Sequence, residues 1–474
     1  MLLNSHQSAA TIGPSKKMLY LALLNALLLS GCQSVPDTHE IIQQANPNAQ
    51  ALEIKGAKKT LSPDRVEKVI NKLADTDEEA ALLEKQLKIT QGITNQVLVA
   101  GNETQLLFDG EQTFKAMFDA IRSAKTHINL EYFIFENIHY QETSLQDLLV
   151  KKRSEGVAVN VIYDAFGSLN TDKAFLDALK TAGVKLTEFH SIDLESIDDI
   201  NHRDHRKMLI VDGKVAIVGG INLSTTYQSK SFFGSSGASK EPKNAQEAYW
   251  RDTDLLIRGP AVVELQKLFL THWDTSQPID QTQFFPTQEK AGNELIHVIG
   301  SSPKDDQHYF YATLVAAISN SAKKIVMSSA YFVPTKDQKQ VLLDASKRGV
   351  SVDLILPGLT DSTLSLNVQR SHYEDLLEQG VNIYEMSTEV LHAKTISVDG
   401  VWTVVGSSNF DYRSATLNEE VDVVVLGKKT ADQLDLKFGR DKKQAKKIEL
   451  QAWKHRSLLE KIKEKLSRVI EKLL

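Results

Sequence analysis

The chain has little of what marks several protein classes. It has one cysteine, Cys32, among 474 residues, so no disulfide can form within it. It has no basic excess: the net charge of −6 argues against a protein that coats nucleic acid, although a local basic site stays open. Long low-complexity tracts are absent, and the composition is that of a globular protein long enough for two or three domains.

Several catalytic signatures are also missing. The sequence has no Gly-x-Ser-x-Gly elbow and no Gly-Lys-Ser/Thr phosphate loop. It has no aspartate cluster and no Cys/His set with metal-ligand spacing. His202 and His205 could be read as a metal pair, but the internal repeat described below has no counterpart of His202. We therefore expect no metal and no other cofactor.

One apolar run stands out near the N-terminus, MLYLALLNALLLS at residues 18–30, and two lysines precede it. It is too short for a comfortable membrane span but suits the core of an export signal. The residues L-S-G-C at 29–32 resemble the bacterial lipobox. This resemblance implies a lipoprotein signal peptide at residues 1–32, lipid attachment at Cys32, and a membrane-anchored lipoprotein facing the periplasm or the exterior of a bacterial cell. An uncleaved N-terminal anchor is the alternative.

Three further segments flank the body of the chain. Residues 33–61 are polar and predict a tether, and residues 62–96 predict a helical segment that begins at Ser62 and docks on the body. Residues 441–474 predict a basic amphipathic helical tail that lies on an anionic membrane or packs on the body. Its apolar stripe consists of Leu458, Leu459, Ile462, Leu466, Val469, Ile470 and Leu473.

The body of the chain repeats itself. SAKTHINLEYFIF at residues 123–135 has a partner in SAKKIVMSSAYFVP at 321–334, and two more pairs follow in the same order. The matched segments read as a helix, a glycine and an apolar strand, a pattern that favours strand-crossover-strand units with largely parallel pairing. The sequence thus predicts an α/β protein with two similar domains, at residues 97–280 and 281–440.

The strongest repeat is LHAKTISVDGVWTVVGSSN at residues 391–409, which matches NHRDHRKMLIVDGKVAIVGGIN at 201–222. An incidental row of surface charges would not recur with its spacing intact. Five positions keep identical separations in the two copies: His205 and His392, Lys207 and Lys394, Asp212 and Asp399, Gly219 and Gly406, Asn222 and Asn409.

The spacing gathers polar groups at one place in each copy. Residues two apart on a strand share a face, so each histidine lies beside its lysine. The Asp-Gly pair predicts a hairpin that returns the asparagine to the level of the histidine. Imidazole, ammonium and carboxamide suit a tetrahedral anion, which makes Asn222 and Asn409 the candidate phosphate ligands. The glycines before them would let backbone approach a ligand, whereas the aspartates Asp212 and Asp399 should hold the turn or pair with a nearby cation.

Two histidines in matched settings can divide the chemistry of phosphoryl transfer. One attacks phosphorus to give a covalent phosphohistidine, and the other protonates the leaving oxygen and then deprotonates the incoming alcohol or water. Each ring needs a partner on its other nitrogen. Asp252 in WRDTDLLI and Glu420 in NEEVDVVV align with each other and are the candidate orienting carboxylates; solvated turn acids are the alternative.

The doubled His-x-Lys-x4-Asp-x6-Gly pattern resembles the paired HKD signature of the phospholipase D superfamily. The resemblance implies two phospholipase D-like α/β/α sandwich domains related by a pseudo-twofold axis, with the active site at their seam and no metal. By analogy His205 is the nucleophile and His392 the acid and base. The residues that the resemblance places in the catalytic set are His205, Lys207, Asp212, His392, Lys394 and Asp399.

Within the superfamily, LLFDGEQTFKAMFDAI, WRDTDLLIRGPAV and GSSNFDYRSATLNEE resemble bacterial cardiolipin synthases. This implies a phosphatidyltransferase whose substrates are phospholipids, namely phosphatidylglycerol and also phosphatidylethanolamine, at a membrane. The chain departs from the commonest form because a lipobox replaces two N-terminal transmembrane helices. Hydrolysis of phospholipids and an extracytoplasmic phosphodiesterase or nuclease use the same residues and stay open. The loop at residues 229–250, with Phe232 and Phe233, would be a lipid-touching flap or a surface insertion.

Overall fold

The computed structural model describes residues 35–45, 51–94, 96–190, 201–228, 242, 244, 245, 248–274, 276–303, 307–469 and 471. Several sequence predictions lie outside these residues: the signal peptide with Cys32, the Phe232–Phe233 part of the flap, and Ile470 and Leu473 of the terminal stripe. None of the helices within the described ranges is long and apolar enough to cross a membrane.

The N-terminal part is folded onto the body, including much of the predicted tether. It contains helix α1 (Thr38–Ala45), strand β1 (Ile54–Lys55), and helices α2 (Pro63–Leu73) and α3 (Asp77–Thr94). This segment is held to the body by scattered apolar side chains that its polar composition hides: Ile54 is fully buried, and Leu52 and Leu61 pack against the same core cluster. The hydroxyl of Thr38 adds a further anchor by donating to the Asp337 carboxylate at 2.7 Å.

Helices α2 and α3 form the predicted helical segment, broken once at residues 74–76. Ser62 is the N-cap of α2 and proline occupies its first turn, as the sequence indicates. The apolar faces of both helices enter the core of the second half of the chain through Val66, Ile70, Leu83 and Leu87.

The first half of the body alternates strands and helices. In chain order its elements are β2 (Leu98–Phe108), α4 (Asp109–Ser123), β3 (His127–Tyr132), β4 (His139–Tyr140), β5 (Thr143–Ser144), α5 (Leu145–Ser154), β6 (Ala158–Asp164), α6 (Lys173–Thr181), β7 (Lys185–Phe189), β8 (Lys207–Val211), β9 (Val215–Gly219), a 3-10 turn (Thr225–Tyr227), β10 (Trp250–Arg251), β11 (Thr253–Arg258) and α7 (Val262–His272).

The second half repeats this succession and ends in extra helices. Its elements are α8 (Gln281–Phe284), β12 (Glu294–Ser301), α9 (Tyr309–Ser319), β13 (Lys324–Ser329), β14 (Phe332–Val333), α10 (Lys336–Lys347), β15 (Ser351–Pro357), α11 (Thr363–Ser371), α12 (Tyr373–Glu378), β16 (Asn382–Met386), β17 (Val390–Leu391), β18 (Lys394–Val398), β19 (Trp402–Gly406), β20 (Phe410–Asp411), α13 (Tyr412–Thr416), β21 (Glu420–Leu426), α14 (Lys428–Gln444), β22 (Lys446–Lys447), α15 (Leu450–Lys454) and α16 (Leu458–Arg468). Helix α14 runs through the predicted boundary at residue 440.

One continuous sheet joins the two halves. Its strand order is β22-β16-β15-β13-β18-β19-β21-β12-β2-β11-β9-β8-β3-β6-β7, with β1 added on β2. Read outward from the antiparallel β12–β2 junction, both halves have the same order. The outer strands, β3-β6-β7 and β13-β15-β16, pair in parallel, and so does the short added strand β1 with β2. The prediction of largely parallel pairing is therefore wrong for the central strands, because the Asp-Gly hairpins and the returning strands β11 and β21 pair antiparallel.

The last helix, α16, docks with its polar side inward. It begins at Ser457, whose side chain forms a capping box with Glu460, and it packs against α11. Glu464 and Ser467 are buried in this contact. The apolar stripe faces outward instead, and its described members are 44–81% exposed: Leu458, Leu459, Ile462, Leu466 and Val469.

Candidate active site

The two HKD hairpins form as the Asp-Gly pairs predict. Asp212 and Gly213 have φ values of 53° and 60°, and Asp399 and Gly400 have values of 54° and 69°. Positive φ at both central residues is the requirement of the tight turn that matches strand twist. The turns join β8 to β9 and β18 to β19, and they set the histidines at the opposite ends of these strands.

The two motif aspartates hold these turns and do not reach the histidines. The Asp212 carboxylate accepts the backbone N–H groups of Lys125, Thr126 and His127 at 2.8–3.1 Å. Asp399 accepts the corresponding three N–H groups at the start of β13. Each lies a whole strand away from the histidine, at roughly 3.3 Å per residue. The structure thus separates both aspartates from the catalytic set in which the resemblance placed them.

Each histidine is bound by a carboxylate from the other half of the chain. His205 Nδ1 lies 3.0 Å from Glu420 Oε2, and His392 Nδ1 lies 2.6 Å from Asp252 Oδ2. Sequence alignment identified both carboxylates, but not that the pairs cross between the domains. The crossing makes the site a joint product of the two repeats.

Short bridges between loops set this crossed register. Asp204 pairs with Glu419 in a parallel bridge, and the N–H of His205 donates to the Glu419 carbonyl at 2.9 Å. The mirrored contact pairs β10 with β17, where the N–H of His392 donates to the Arg251 carbonyl at 2.7 Å. The next residue after each of these carbonyls is the carboxylate that contacts the histidine.

Burial and the neighbouring charged side chains set the protonation states of the site residues. Burial alone would raise the pKa of Glu420, but His205 and Lys207 outweigh it and hold this pKa at about 2. Burial raises the pKa of Asp252 to about 6, with partial compensation from nearby lysine. Burial lowers the pKa of His205, and for His392 burial and Lys394 place it well below its usual value. Both imidazoles are therefore neutral at neutral pH and able to act as nucleophile or base.

The two motif lysines are buried, and each contacts the histidine of its own motif. Lys207 Nζ donates to the carbonyl of His205, and Lys394 Nζ lies 2.8 Å from His392 Nδ1. Burial lowers the pKa of Lys207 to about 7. An added anion between these groups would be stabilised by both lysines and would favour their charged forms.

Aromatic and hydroxyl groups that sequence reasoning missed surround His392 and Glu420. The Tyr227 hydroxyl lies 2.9 Å from His392 Nδ1, and the Trp250 and Tyr331 rings lie 5.1 and 6.0 Å from the imidazole centre. Ser414 Oγ donates to Glu420 at 2.7 Å. Tyr227 lies in a 3-10 turn, Tyr331 in a loop, and Trp250 and Ser414 in elements of two and five residues, which are too short for a periodic pattern, so the sequence offered no signal for them.

The glycines near the ends of β9 and β19 leave room for carboxyl groups rather than for a ligand. A Cβ on Gly219 would lie 2.2 Å from Asp254 Oδ1, and one on Gly406 would lie 2.0 Å from Asp422 Oδ1. A Cβ on Gly220 would lie 2.3 Å from Asp252 Oδ1. The expected approach of backbone to a ligand is therefore wrong for these glycines: they admit buried side chains that support the site.

Gly406→Ala is expected to lower the free energy of unfolding by about 3 kcal/mol, since overpacking a dense interior costs roughly 1–3 kcal/mol and the clash involves a buried carboxyl. Chemical denaturation monitored by circular dichroism measures this. Gly439→Ala is the matched control, because a Cβ there meets no atom within 4 Å. Equal stability of the two variants would contradict the assigned role of Gly406.

The two asparagines differ in their availability. Asn222 Oδ1 accepts the N–H of Ile134 at 3.2 Å, so its carboxamide supports the end of β9. Asn409 lies at the cavity beside His205, and its buried Oδ1 has no hydrogen-bond partner among the described residues. The geometry thus brings Asn409 to the site and commits Asn222 to the scaffold.

A cavity of about 320 Å³ opens at His205. One wall is apolar and aromatic, with Phe133, Phe166, Tyr331 and Val333, and the other carries two guanidinium groups, Arg203 and Arg413. Its remaining lining residues are Asn201, Ser362, Ser365, Asn409, Asp411 and Asn418. A mixed wall of this kind accommodates an anionic group attached to an apolar body.

A buried ionic cluster lies behind the site. Glu131, Asp204 and His272 are close enough together to act as metal ligands. Its carboxylates already have cationic partners: Arg206 has nitrogens 3.5 Å from Glu131 and 3.1 Å from Glu419, and His272 lies 2.7 Å from Glu131 and 3.6 Å from Asp204. The cluster therefore fits a set of ion pairs that braces the seam, and the expected independence from metal stays a prediction.

The chain is similar to known proteins over the part that carries both motifs. The family model "Cardiolipin synthase, PLD-like domain" matches residues 117–232 and 314–442, which include both HKD hairpins. Cardiolipin synthase 1 of Bacillus anthracis is 32% identical over 382 residues, covering 78% of this chain and 72% of that protein. The cardiolipin synthase of Geobacillus thermodenitrificans is 33% identical over 379 residues, covering 79% and 72%.

A solved structure supports the fold. The crystal structure of phosphatidylserine synthase from Haemophilus influenzae matches with a TM-score of 0.58 at 13% identity, over 78% of this chain and 95% of that one. The sequence relatives confirm the family predicted from the repeated motif. The chain belongs to the cardiolipin synthase family of phospholipase D-like phosphatidyltransferases.

Proposed function

We propose that the protein transfers a phosphatidyl group from phosphatidylglycerol to the head-group hydroxyl of a second phospholipid, and that phosphatidylethanolamine is a further substrate. The observation that carries this proposal is the pair of crossed histidine–carboxylate contacts: His205 lines the cavity, and His392 lies beside Tyr331, which also lines it. Each of two buried lysines acts electrostatically on both histidines, so a phosphodiester placed there would meet a nucleophile, a proton carrier and two cations.

In the first step His205 Nε2 attacks the phosphorus of the donor lipid. The bond between phosphorus and the head-group oxygen breaks, and His392 gives its proton to the leaving glycerol. The imidazole of His392 is neutral in the free protein, but the bound phosphate anion adds negative charge nearby and raises its pKa. Glu420 holds the His205 ring and stabilises the positive charge that forms on it.

The second step reverses the roles. The acceptor hydroxyl attacks phosphorus and gives its proton to His392, while the bond between phosphorus and His205 Nε2 breaks. Lys207 and Lys394 neutralise the phosphoryl oxygens throughout, and the carboxamide of Asn409 donates to one of them. Water in place of the lipid alcohol would yield phosphatidic acid by the same steps.

Lipid mass spectrometry on the purified protein tests this function. With phosphatidylglycerol vesicles we expect cardiolipin and free glycerol, and none with His205→Ala. Phosphatidic acid as the main product would make the protein a hydrolase. No change in phosphatidylglycerol or phosphatidylethanolamine would overturn the proposed phospholipid substrates and direct attention to other phosphodiesters, including nucleic acid.

We further propose that the protein is a lipoprotein anchored at Cys32, on the periplasmic or outer side of a bacterial membrane, and that α16 lies on the lipid surface. The support for α16 is its orientation: the polar side packs on α11 and the leucines face outward. Ser362 and Ser365 at the start of α11 line the cavity. Helix α11 has nine residues and is roughly 14 Å long. The outward-facing leucines of α16, which packs on α11, would therefore hold the cavity close to the bilayer.

Leu459→Glu combined with Leu466→Glu is expected to weaken binding to phosphatidylglycerol vesicles at least roughly tenfold per residue, since each buried leucine contributes about 1.5–3 kcal/mol. Vesicle co-sedimentation measures this binding. All variants are made in a Cys32→Ala background, which lacks the lipid attached at Cys32. Leu436→Glu is the matched control, because Leu436 is 65% exposed on α14. Equal loss in the control would show a general charge effect.

A further inference from the structure

We propose that Arg203 and Arg413 form a second anion subsite beside His205, which binds the phosphate of the acceptor phospholipid and so selects a lipid over water. The proposal rests on the phosphatidyl transfer proposed above, and it names the residues that bind the acceptor lipid. Both guanidinium groups line the same cavity as His205.

The first support is the charge balance of the cavity. Arg203 is 4% exposed and forms an ion pair with the Asp164 carboxylate at 3.7 Å. Arg413 is mostly buried and donates to the backbone carbonyl of Asn201 at 3.0 Å. Within the described part of the chain no carboxylate oxygen lies within 4.0 Å of the Arg413 guanidinium, whose hydrogen bond goes to a backbone carbonyl. A mostly buried cation without an ion pair is costly, and a phosphate would supply the missing partner.

The second support is chemical type. A guanidinium offers a planar fork of donors that matches two oxygens of one phosphate, whereas a buried lysine acts as a point charge. The structure gives the phosphoryl group on His205 two lysines, Lys207 and Lys394. The arginines therefore suit a second, separate phosphate.

The third support is spacing. Arg203 precedes His205 by two residues, and the intervening Asp204 lies in a β-bridge, so the backbone there is extended. Residues two apart along such a segment lie roughly 6.5 Å apart on one face. A phospholipid with a glycerol head group carries its terminal hydroxyl and its phosphate at opposite ends of three carbons. Phosphate on the arginines would thus leave the hydroxyl at the phosphohistidine.

The subsite acts in the second step alone. The acceptor oxygen forms its bond to phosphorus, the bond from phosphorus to His205 Nε2 breaks, and the hydroxyl proton passes to His392. Binding of the acceptor phosphate raises the local concentration of its hydroxyl over that of water. Formation of the phosphohistidine does not require the subsite.

Arg413→Gln separates this role from the chemistry when two acceptors are compared in phosphatidylglycerol vesicles. One acceptor is the lipid itself and the other is added 1-butanol, which has no phosphate. We expect the ratio of cardiolipin to phosphatidic acid to fall roughly ten- to hundredfold, because the acceptor phosphate loses hydrogen bonds to a charged group. The rate of phosphatidylbutanol formation should be unchanged. Arg413→Lys should restore part of the cardiolipin, and exposed Arg258→Gln is the matched control.

Three results would overturn the subsite. Equal loss of cardiolipin and phosphatidylbutanol would make Arg413 a support of the whole site, and an unchanged product ratio would show that it binds no acceptor. Preferential transfer to glycerol 3-phosphate would assign the arginines to a water-soluble acceptor. Absence of every transfer product with the wild-type protein would instead refute the proposed transferase function, a distinct outcome.

Discussion

His205→Ala is expected to lower kcat for phosphatidyl transfer by roughly 10⁴- to 10⁶-fold, the range seen when the nucleophile of a catalytic unit is removed. The imidazole lines the cavity and is held by Glu420, and no other described side chain lies in an equivalent position at the cavity. Initial rates of cardiolipin formation measure the effect. Unchanged circular dichroism is expected, because the side chain occupies a cavity wall rather than the core.

His392→Ala should have a different signature. Loss of a general acid and base costs roughly 10²- to 10⁴-fold, and with a phosphatidyl-p-nitrophenol donor, whose head group leaves without protonation, the second step suffers more than the first. We therefore expect a phosphatidyl adduct to accumulate on His205, visible by mass spectrometry of the intact protein. His139→Ala, on the exposed strand β4, is the control. Activity above one hundredth of wild type, taken roughly as the lower bound of general acid–base catalysis, in either variant would refute the two-histidine mechanism.

The sequence was sufficient for the internal repeat and for the faces of the two motif strands. The recurrence of His205 and Lys207 as His392 and Lys394 predicted two like halves and a shared site, and the matching strand order bears this out. Side-chain alternation placed each histidine beside its lysine. The odd step to Asp212 correctly indicated a place away from that face.

The crossed contacts could not be predicted because no local pattern encodes them. The bridges that align Asp204 with Glu419, and Arg251 with Leu391, involve one or two residues of loops distant in sequence. Their register follows from how the β12–β2 junction aligns two complete domains. The same limit hid Tyr227, which reaches His392 from a 3-10 turn.

Composition misled in two places. Residues 33–61 look like a tether because their apolar anchors, among them buried Ile54, are scattered through a polar segment. Gly219 and Gly406 look like ligand contacts, yet the space beside them is taken by Asp254 and Asp422. In both cases a tertiary neighbour decides the role, and the neighbour lies far away in the chain.

Glu420→Gln is expected to reduce kcat/KM roughly 10²- to 10⁴-fold, as happens when a histidine loses the carboxylate that fixes its tautomer and orientation. The amide keeps the shape of the side chain but cannot accept the N–H of His205 with both oxygens or balance the charge on the ring. Rates of cardiolipin formation at several pH values measure this. Glu419→Gln is the matched control, since Glu419 is next to Glu420 in the chain but binds Arg206 in the buried ionic cluster.

The pH dependence distinguishes orientation from simple unfolding. Burial lowers the pKa of His205, and the negative charge of Glu420 opposes this by favouring the imidazolium. Removing that charge lowers the pKa further, so His205 becomes neutral at a lower pH. The acid limb of kcat/KM should therefore move to lower pH in Glu420→Gln while the plateau falls. A fallen plateau with an unmoved limb would mean that Glu420 supports the fold alone, and the crossed contact would then have no part in setting the ionisation of His205.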